Sequence, residues 1–262
     1  MNGKARGFGV AAGLDLAVAS PLAARCEELG YSSMWSNDHP AAEGLDTAAA
    51  FAQGSDRLEL GIAVIALDRR TPAEINAKID QLGLDRERLW IGLGAGFSPK
   101  PLTTMREALP ELREALGGVR LVLAAMGPKM CALAGAGFDG AFFNWMTPRF
   151  AGSAREQVHA GAREASREPP PVFGYVRTAV GDGAAERLAK EESFYRDLHD
   201  GYRNHFARLG EPAGTVGVAS ADAASTDGEL TAYEALDVVV VRGLASATLE
   251  GMSSVAEAAA PA

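Results

Sequence analysis

The sequence contains little cysteine and no long apolar run, which argues against a disulfide scaffold and against a membrane protein. Only two of its 262 residues are cysteine, Cys26 and Cys131, and both fall within predicted amphipathic helices. We expect both thiols to be reduced and buried, and the protein to be cytoplasmic. No apolar stretch reaches the roughly 20 residues that span a bilayer. Residues 1–9 lack the apolar core of a signal peptide, so no membrane partner is expected.

Charge and missing motifs exclude further classes of function. The formal net charge is −9, and no basic run is interleaved with aromatic residues, so nucleic acid is not expected as a partner. The GxSxG, HExxH and P-loop patterns are absent. His159, His199 and His205 lie on predicted helices. His199 and His205 have no metal-ligand spacing with an acidic pair and are interpreted as surface or helix-face residues. No metal site is therefore predicted.

Apolar β-type runs alternate with helical patterns eight times along the chain. The predicted strands are 8–11, 31–36, 58–66, 89–94, 119–125, 140–145, 172–180 and 238–241. The predicted helices are 21–29, 47–53, 72–82, 103–116, 129–135, 148–166, 184–209 and 246–259. Short, apolar, non-alternating strands are typical of a buried parallel sheet. Eight units in this length favour an α/β fold, a (β/α)8 TIM barrel in one domain over residues 1–262, with an open doubly wound sheet as the alternative.

Two regions fit this pattern less simply. The polar stretch 215–235 is predicted as a short strand or turn followed by a loop-rich helix. The long seventh helix carries an apolar stripe, and its members are Phe194, Leu198, Tyr202, Phe206 and Leu209. Packing onto the barrel is the expected role of such a stripe, and a homodimer contact is the alternative.

In a barrel of this kind, functional residues lie at the C-terminal ends of the strands. The second predicted strand is followed by Asn37, Asp38 and His39. His39 is a candidate proton donor or acceptor because an imidazole titrates near neutral pH, and Asp38 and Asn37 would orient it. The alternative is a capped turn, in which Asp38 binds backbone amides and His39 is solvated.

A Gly-Pro turn joins the fifth predicted strand to the helix that follows it. The turn consists of Met126, Gly127, Pro128 and Lys129. Backbone N–H groups at a helix start, together with the helix dipole, form an anion site. Pro128 suits the first helical turn because its missing N–H is not needed there. With the positive charge of Lys129 beside it, this turn is predicted to hold a cofactor phosphate.

Aromatic residues and glycines lie at other strand ends. Trp35 and Trp145 would enclose a planar ring, although core packing is the alternative for each, and Asn144 is a candidate cofactor contact beside Trp145. Gly94 and Gly96 follow the fourth predicted strand. Such glycines let the backbone approach a flat ligand, or else they form a sharp turn.

Together these segments resemble the luciferase-like family of flavin and deazaflavin oxidoreductases. The similar segments are Asp38-His39, residues 60–65 with 70–72, residues 85–96, residues 126–129 and Asp139-Gly140. The resemblance implies a (β/α)8 barrel that binds coenzyme F420, or alternatively FMN, at its C-terminal mouth. It places His39 beside the cofactor ring. It also implies a cis peptide between Ala63 and Val64, which would then contact the ring.

The sequence departs from this family at the end of the fourth strand. Phe97 occupies the place of the glutamate that the family's sugar-phosphate dehydrogenases carry, so a sugar phosphate is not the expected substrate. The loop over 97–102 is short, which implies a more open mouth or one closed by a partner subunit.

The expected function is hydride transfer between the cofactor and a small, apolar organic substrate, with Trp35, Phe97 and Trp145 as the walls of the substrate pocket. Three alternatives stay open: a non-catalytic flavin-binding barrel, an FMN-dependent monooxygenase and, without the resemblance, a phosphate-binding aldolase or isomerase.

Overall fold

Strands and helices alternate along residues 5–261, which are the residues that the computed structural model describes. The strands are β1 (Ala5–Gly9), β2 (Ser33–Ser36), β3 (Glu59–Ala66), β4 (Leu89–Gly94), β5 (Arg120–Ala124), β6 (Gly140–Asn144), β7 (Val172–Val180), β8 (Val218–Ser220) and β9 (Val238–Gly243). The helices are α1 (Leu16–Glu28), α2 (Gly44–Gly54), α3 (Pro72–Leu82), α4 (Pro101–Ala115), α5 (Pro128–Gly137), α6 (Pro148–Glu164), α7 (Ala184–Leu198), α8 (Asp200–Leu209), α9 (Ala223–Thr231) and α10 (Leu249–Ala258). None of these helices is long and apolar enough to cross a membrane.

The sheet closes into a barrel of parallel strands. Strands β1 to β7 pair in sequence order, and β9 pairs with both β7 and β1. The short strand β8 lies outside the ring, because it pairs only with the end of β7 over 178–180. The predicted (β/α)8 barrel is therefore confirmed, and the open-sheet alternative is wrong. The polar stretch 215–235 forms β8 and α9, as its pattern predicts.

Most element boundaries differ from the prediction by a few residues, β1 for example being 5–9 and not 8–11, and two helices differ most. Helix α1 begins at Leu16, and the side chain of the preceding Asp15 caps it by accepting the Ala17 N–H. Pro21 therefore lies inside the helix and not at its start. The predicted helix over 184–209 is two helices, because His199 between them is extended, with φ −167°. The His199 ring accepts a hydrogen bond from the Gly201 N–H, 3.0 Å away, and so caps α8.

Inward-pointing side chains fill the barrel in layers. Alternate residues of each strand point to the same side. The middle layers are aromatic and buried, and they include Trp35, Phe142, Phe173, Tyr175 and Val240. One step towards the C-terminal ends, the layer becomes polar or small, and it contains Asn37, Val64, Gly94, Ala124, Asn144, Arg177 and Arg242. This upper layer forms the floor of the mouth.

Strand β3 has a bulge near its C-terminal end. Its pairing with β4 shifts register between Ile62 and Ile65. The intervening Ala63–Val64 peptide is cis, as the family resemblance implies. A Cβ atom at Gly92 on β4 would lie 2.5 Å from the Ile62 carbonyl oxygen, so only glycine leaves room for the bulge.

The outer layer contains the two cysteines and a close helix contact. Cys26 and Cys131 are free and buried, and burial raises the pKa of the Cys131 thiol to about 12. Helices α5 and α6 meet through glycines. A Cβ atom at Gly135 would lie 1.9 Å from the Val158 carbonyl oxygen, and one at Gly161 would lie 2.0 Å from that of Ala132.

Candidate active site

At the mouth of the barrel, two arginines donate hydrogen bonds to two asparagines. Arg242 Nη2 donates to Asn37 Oδ1 at 3.2 Å, and the same oxygen accepts the Ala12 N–H at 2.9 Å. Arg177 Nη1 donates to Asn144 Oδ1. These bonds fix the orientation of both amides, so their positions do not depend on a ligand.

The two arginines are deeply buried. Arg177 is 2% exposed and Arg242 is 6% exposed. The Arg177 guanidinium lies 4.1 Å from the centre of the Trp145 ring, and that of Arg242 lies 5.4 Å from the centre of the Tyr175 ring. Burial is the main cause that lowers the pKa of Arg242 below its usual value. Among residues 5–261, neither guanidinium forms an ion pair with a carboxylate.

The sequence analysis did not select these arginines as site residues, although a signal was present. Strand β7 reads Val-Phe-Gly-Tyr-Val-Arg-Thr-Ala-Val, and Arg177 is in phase with the inward-facing Phe173 and Tyr175. Strand β9 has four valines before Arg242. A charged residue at an inward position of an apolar strand is unusual enough to indicate a site.

His39 lies on an exposed turn after β2. Its backbone N–H and carbonyl both pair with Ala42, and the turn runs through Pro40 and Ala41. The Nδ1 atom accepts a hydrogen bond from the Ala41 N–H, 3.2 Å away. The neutral ring therefore carries its proton on Nε2, the nitrogen that this turn leaves free.

Asp38 does not orient His39, and the sequence-based expectation that it would do so is wrong. Its buried carboxylate accepts the Gly44 N–H at 3.1 Å, at the start of α2. It also lies 3.4 Å from both Arg69 Nη2 and Arg70 Nε. Asp38 thus ties the β2 end to α2 and to the loop after β3, which is the capped-turn alternative. Asn37 likewise supports Arg242 and not His39.

Trp35 and Trp145 do not enclose a common space, so that expectation is also wrong. Trp35 is fully buried in the middle layers of the barrel, where its indole N–H donates to Ser33 Oγ. Trp145 is 1% exposed and packs against Phe206 on α8. Core packing accounts for the faces of both rings, whereas the buried Trp145 Nε1 has no hydrogen-bond partner in the described part of the chain.

The Gly-Pro turn leaves space at the N-terminus of α5. Gly127 is extended, caps α5 without a side-chain hydrogen bond, and has no described atom within 4 Å of the position of a Cβ. Arg208 Nη2 lies 3.4 Å from the carbonyl oxygen of the half-buried Met126. Lys129 is exposed and lines an outer groove with Arg106 and Glu164, so its contact with a phosphate stays a prediction.

Of the two candidate glycines after β4, one forms a sharp turn. Gly96 has φ +59°, and a Cβ there would lie 1.9 Å from a carboxylate oxygen of Asp68. That carboxylate accepts the Phe97 N–H at 2.8 Å. The turn alternative therefore accounts for Gly96, whereas Gly94 is half-buried at the mouth beside Val64.

The rim of the mouth comes partly from the corner between α7 and α8. Phe97 is 77% exposed, and its ring centre lies 5.8 Å from that of His199. Tyr202 on α8 accepts a hydrogen bond from Asn144 Nδ2 at 2.9 Å. The short loop after β4 is thus supplemented by this chain's own helices. In the apolar stripe Phe206 is buried and Phe194 is exposed, and a homodimer contact stays a prediction.

His205 is buried, so it is not a surface residue, and the helix-face alternative applies. Its Nε2 donates to the Trp145 carbonyl oxygen at 2.7 Å, and burial lowers the pKa of its imidazole. His205 therefore supports the backbone at Trp145, whose φ is +55°.

This buried imidazole should make the protein less stable in mild acid. The unfolded chain protonates His205 near pH 6.5 and the folded protein only at lower pH, so the free energy of unfolding falls as pH drops below about 6.5, by at most ~1.4 kcal/mol per pH unit. His205→Gln keeps an N–H donor and should flatten this dependence in urea unfolding between pH 5 and 7. His159→Gln is the control, and equal slopes for His205→Gln and the wild type would contradict the assignment.

Comparison with known proteins identifies a sequence relative and several structural neighbours. The chain is 27% identical over 181 residues to a 5,10-methylenetetrahydromethanopterin reductase of Methanolobus tindarius, and the aligned part covers 56% of each protein. Its fold resembles the coenzyme F420-dependent tetrahydromethanopterin reductase of Methanopyrus kandleri, with TM-score 0.75, 16% identity, and coverage of 98% of this chain and 97% of that one.

Two further structures share the fold. An F420-dependent secondary alcohol dehydrogenase, in complex with an F420-acetone adduct, gives a TM-score of 0.73 at 18% identity and covers 99% of both chains. The oxygenating constituent of 3,6-diketocamphane monooxygenase from Pseudomonas putida, in complex with FMN, gives 0.68 at 15% identity and covers 98% of both. The luciferase-like monooxygenase model matches residues 4–123 and 106–251. The chain therefore belongs to the luciferase-like monooxygenase family.

Proposed function

We propose that this protein is an oxidoreductase that transfers a hydride between coenzyme F420, with FMN as the alternative, and a small organic substrate. The observation that carries the proposal is the open helix start at Gly127, which shares the mouth of the barrel with the β3 bulge. Structural neighbours that are described with F420 or FMN support it.

The residues at the mouth fit such a cofactor. The start of α5 has unused space at Gly127 and no side-chain cap, as an anion site requires. Pro128 begins the helix, and Met126 precedes the turn. On our proposal these residues hold the phosphate.

The ring would lie on the bulge. Val64 is half-buried at the mouth, next to Ala63 and Gly94, and it provides an apolar surface for a planar ring. Asn144, on the β6 side of the same mouth, has a fixed amide that can bind the polar edge of the ring.

A bound F420 or FMN supplies or accepts the hydride, while the protein orients the reactants and handles the proton. His39 is suited to the proton transfer, because the Ala41 N–H occupies Nδ1 and leaves Nε2 to donate. The Arg69–Arg70–Asp38 cluster anchors the chain directly before His39 and so limits its movement.

Titration of the full chain with F420 and with FMN, followed by absorbance and fluorescence, tests the proposal. We expect saturable, one-to-one binding of one of the two. If neither binds, the proposed function is wrong. Oxidation of the reduced cofactor by an added acceptor then separates an enzyme from a non-catalytic flavin-binding barrel.

Replacing Gly127 by valine should weaken cofactor binding without destabilising the fold. The position has no described neighbour within 4 Å and a φ of −123°, so the side chain fits the apo protein but fills the space for the phosphate. Loss of one charged hydrogen bond should raise the cofactor Kd about ten- to a hundredfold. Gly117→Val, at the opposite end of β5 and equally open, is the control. If Gly127→Val and Gly117→Val bind the cofactor with equal affinity, the phosphate does not bind at this turn.

A further inference from the structure

Arg177 and Arg242 place two buried positive charges side by side. The two residues are register partners on β7 and β9, and neighbouring strands lie about 4.8 Å apart. Buried arginines are almost always paired with a carboxylate. Arg6, another buried arginine of this chain, is paired in this way with Asp227 at 2.5 Å. Within residues 5–261, Arg177 and Arg242 have no such partner.

The surroundings of the pair do not neutralise its charge. The rings packed against the guanidiniums are Trp145, Tyr175 and Tyr195, and Tyr202 is bonded to Asn144 beside them. Glu191 on α7 is the acidic residue that acts on Arg242, and it forms no ion pair with that residue in the described part of the chain. The pair therefore keeps a positive charge that favours a bound anion.

Hydrogen-bond donors are also unused at this place. Arg177 Nε, Arg242 Nη1 and Trp145 Nε1 are buried, and none of them has a hydrogen-bond partner within the described range 5–261. A buried donor without a partner destabilises the folded protein, and more so if the donor is charged. An arrangement with this cost is typical of a site that a ligand completes.

The position of the pair in the barrel indicates which ligand this is. Around the closed ring, β7 lies opposite β3 and β9 lies opposite β4. The bulge at Ala63–Val64 and the guanidiniums thus face each other across the mouth. A cofactor ring on the bulge would turn its other face, from which a hydride is transferred, towards the arginines.

We infer that the substrate is an organic oxyanion, a carboxylate or a phosphate ester, held by Arg177 and Arg242 against the open face of the cofactor ring. That the anion is a substrate rests on the proposed function. That the two arginines bind an anion does not. It replaces the sequence-based expectation of an apolar substrate, because two unpaired guanidiniums would have to stay unneutralised beside such a molecule.

Matched pairs of small molecules test the inference in the protein without cofactor. Acetate is compared with acetamide and benzoate with benzamide by titration calorimetry, and inorganic phosphate is included. The amides have nearly the same shape without the charge. We expect at least one anion to bind ten times more tightly than its amide, and to raise Tm when the amide does not. This comparison uses only the wild-type protein.

Variants then assign the anion to the pair. Arg177→Met and Arg242→Met should each reduce the preference for the anion to less than threefold. The Kd of F420 or FMN should change by less than tenfold, and Arg177→Met should show the larger change because Arg177 also orients the Asn144 amide. The control is Arg120→Met, which removes an arginine stacked 4.1 Å from Trp90 and paired with Glu59 at the opposite end of the barrel. It should keep the full preference.

Three outcomes would overturn the inference. One is equal binding of every anion and its amide by the wild type. Another is an anion preference that survives in both arginine variants. The last is a loss of cofactor affinity of tenfold or more with an unchanged anion preference, which would assign the arginines to the cofactor. If anions bind as expected and neither cofactor binds, the anion site stands and the proposed function fails.

Discussion

Replacing His39 by alanine is expected to lower turnover at least ~100-fold while changing the cofactor Kd by less than about tenfold. Hydride transfer to a polarised double bond leaves negative charge on the substrate, and a positioned acid is typically worth about 10²–10⁴-fold. The Ala41 N–H fixes the His39 tautomer, so that Nε2 carries the proton. The measurement is the oxidation of reduced cofactor by the acceptor that gives the highest wild-type rate.

A second variant separates the proton transfer from the structure of the turn. His39→Asn keeps an acceptor for the Ala41 N–H, since asparagine forms the same local turn, but it has no proton to transfer. It should be as slow as His39→Ala. His159→Ala on α6 is the control and should turn over normally. Normal turnover of His39→Asn would show that His39 only shapes the turn and that another group, such as water, supplies the proton.

Replacing Gly161 by alanine is expected to lower the free energy of unfolding by about 2–3 kcal/mol. The added Cβ would lie 2.0 Å from the Ala132 carbonyl oxygen, and the neighbouring atoms belong to the backbone of α5, so rotation of a side chain cannot relieve the clash. The two helices must separate, which opens the packing around both of them. Urea unfolding followed by circular dichroism measures the change.

The same helix contains its own control. Gly152 also lies on α6, but a Cβ there has no described atom within 4 Å. Gly152→Ala should stabilise the protein by about 0.5–1 kcal/mol, because alanine favours the helix. The two substitutions are chemically identical and should have opposite signs. If both stabilise the protein, the close contact of α5 and α6 does not exist in solution.

The fold was predictable because the strands are buried on both faces and therefore form separate apolar runs. Their C-terminal ends, and hence the mouth, followed from the barrel alone. What local sequence cannot show is a break such as the one at His199, where helical residues continue on both sides. Tertiary contacts decide that break, since the α8 start packs against Phe97 and Asn144.

Side-chain partners were the least predictable part of the site. Asp38 precedes His39 in sequence, yet its partners Arg69 and Arg70 lie some thirty residues away and meet it only through the barrel. Trp35 lies at a strand end, but it points into the barrel because Gly61 leaves space for its ring. Proximity in sequence indicates which strand end a residue occupies, but not the direction of its side chain.

The mouth of this barrel has two dissimilar halves. On the side of β3 to β5, the surface is made by backbone and small residues, namely the bulge, Gly94 and Gly127. On the side of β7 and β9, it is made by long side chains. A point mutation replaces a side chain and leaves the path of the main chain nearly unchanged. Mutations that change which substrate binds can therefore accumulate on the β7 and β9 side while the β3 to β5 side stays intact. This makes the chain a practical starting point for directed evolution of its substrate specificity.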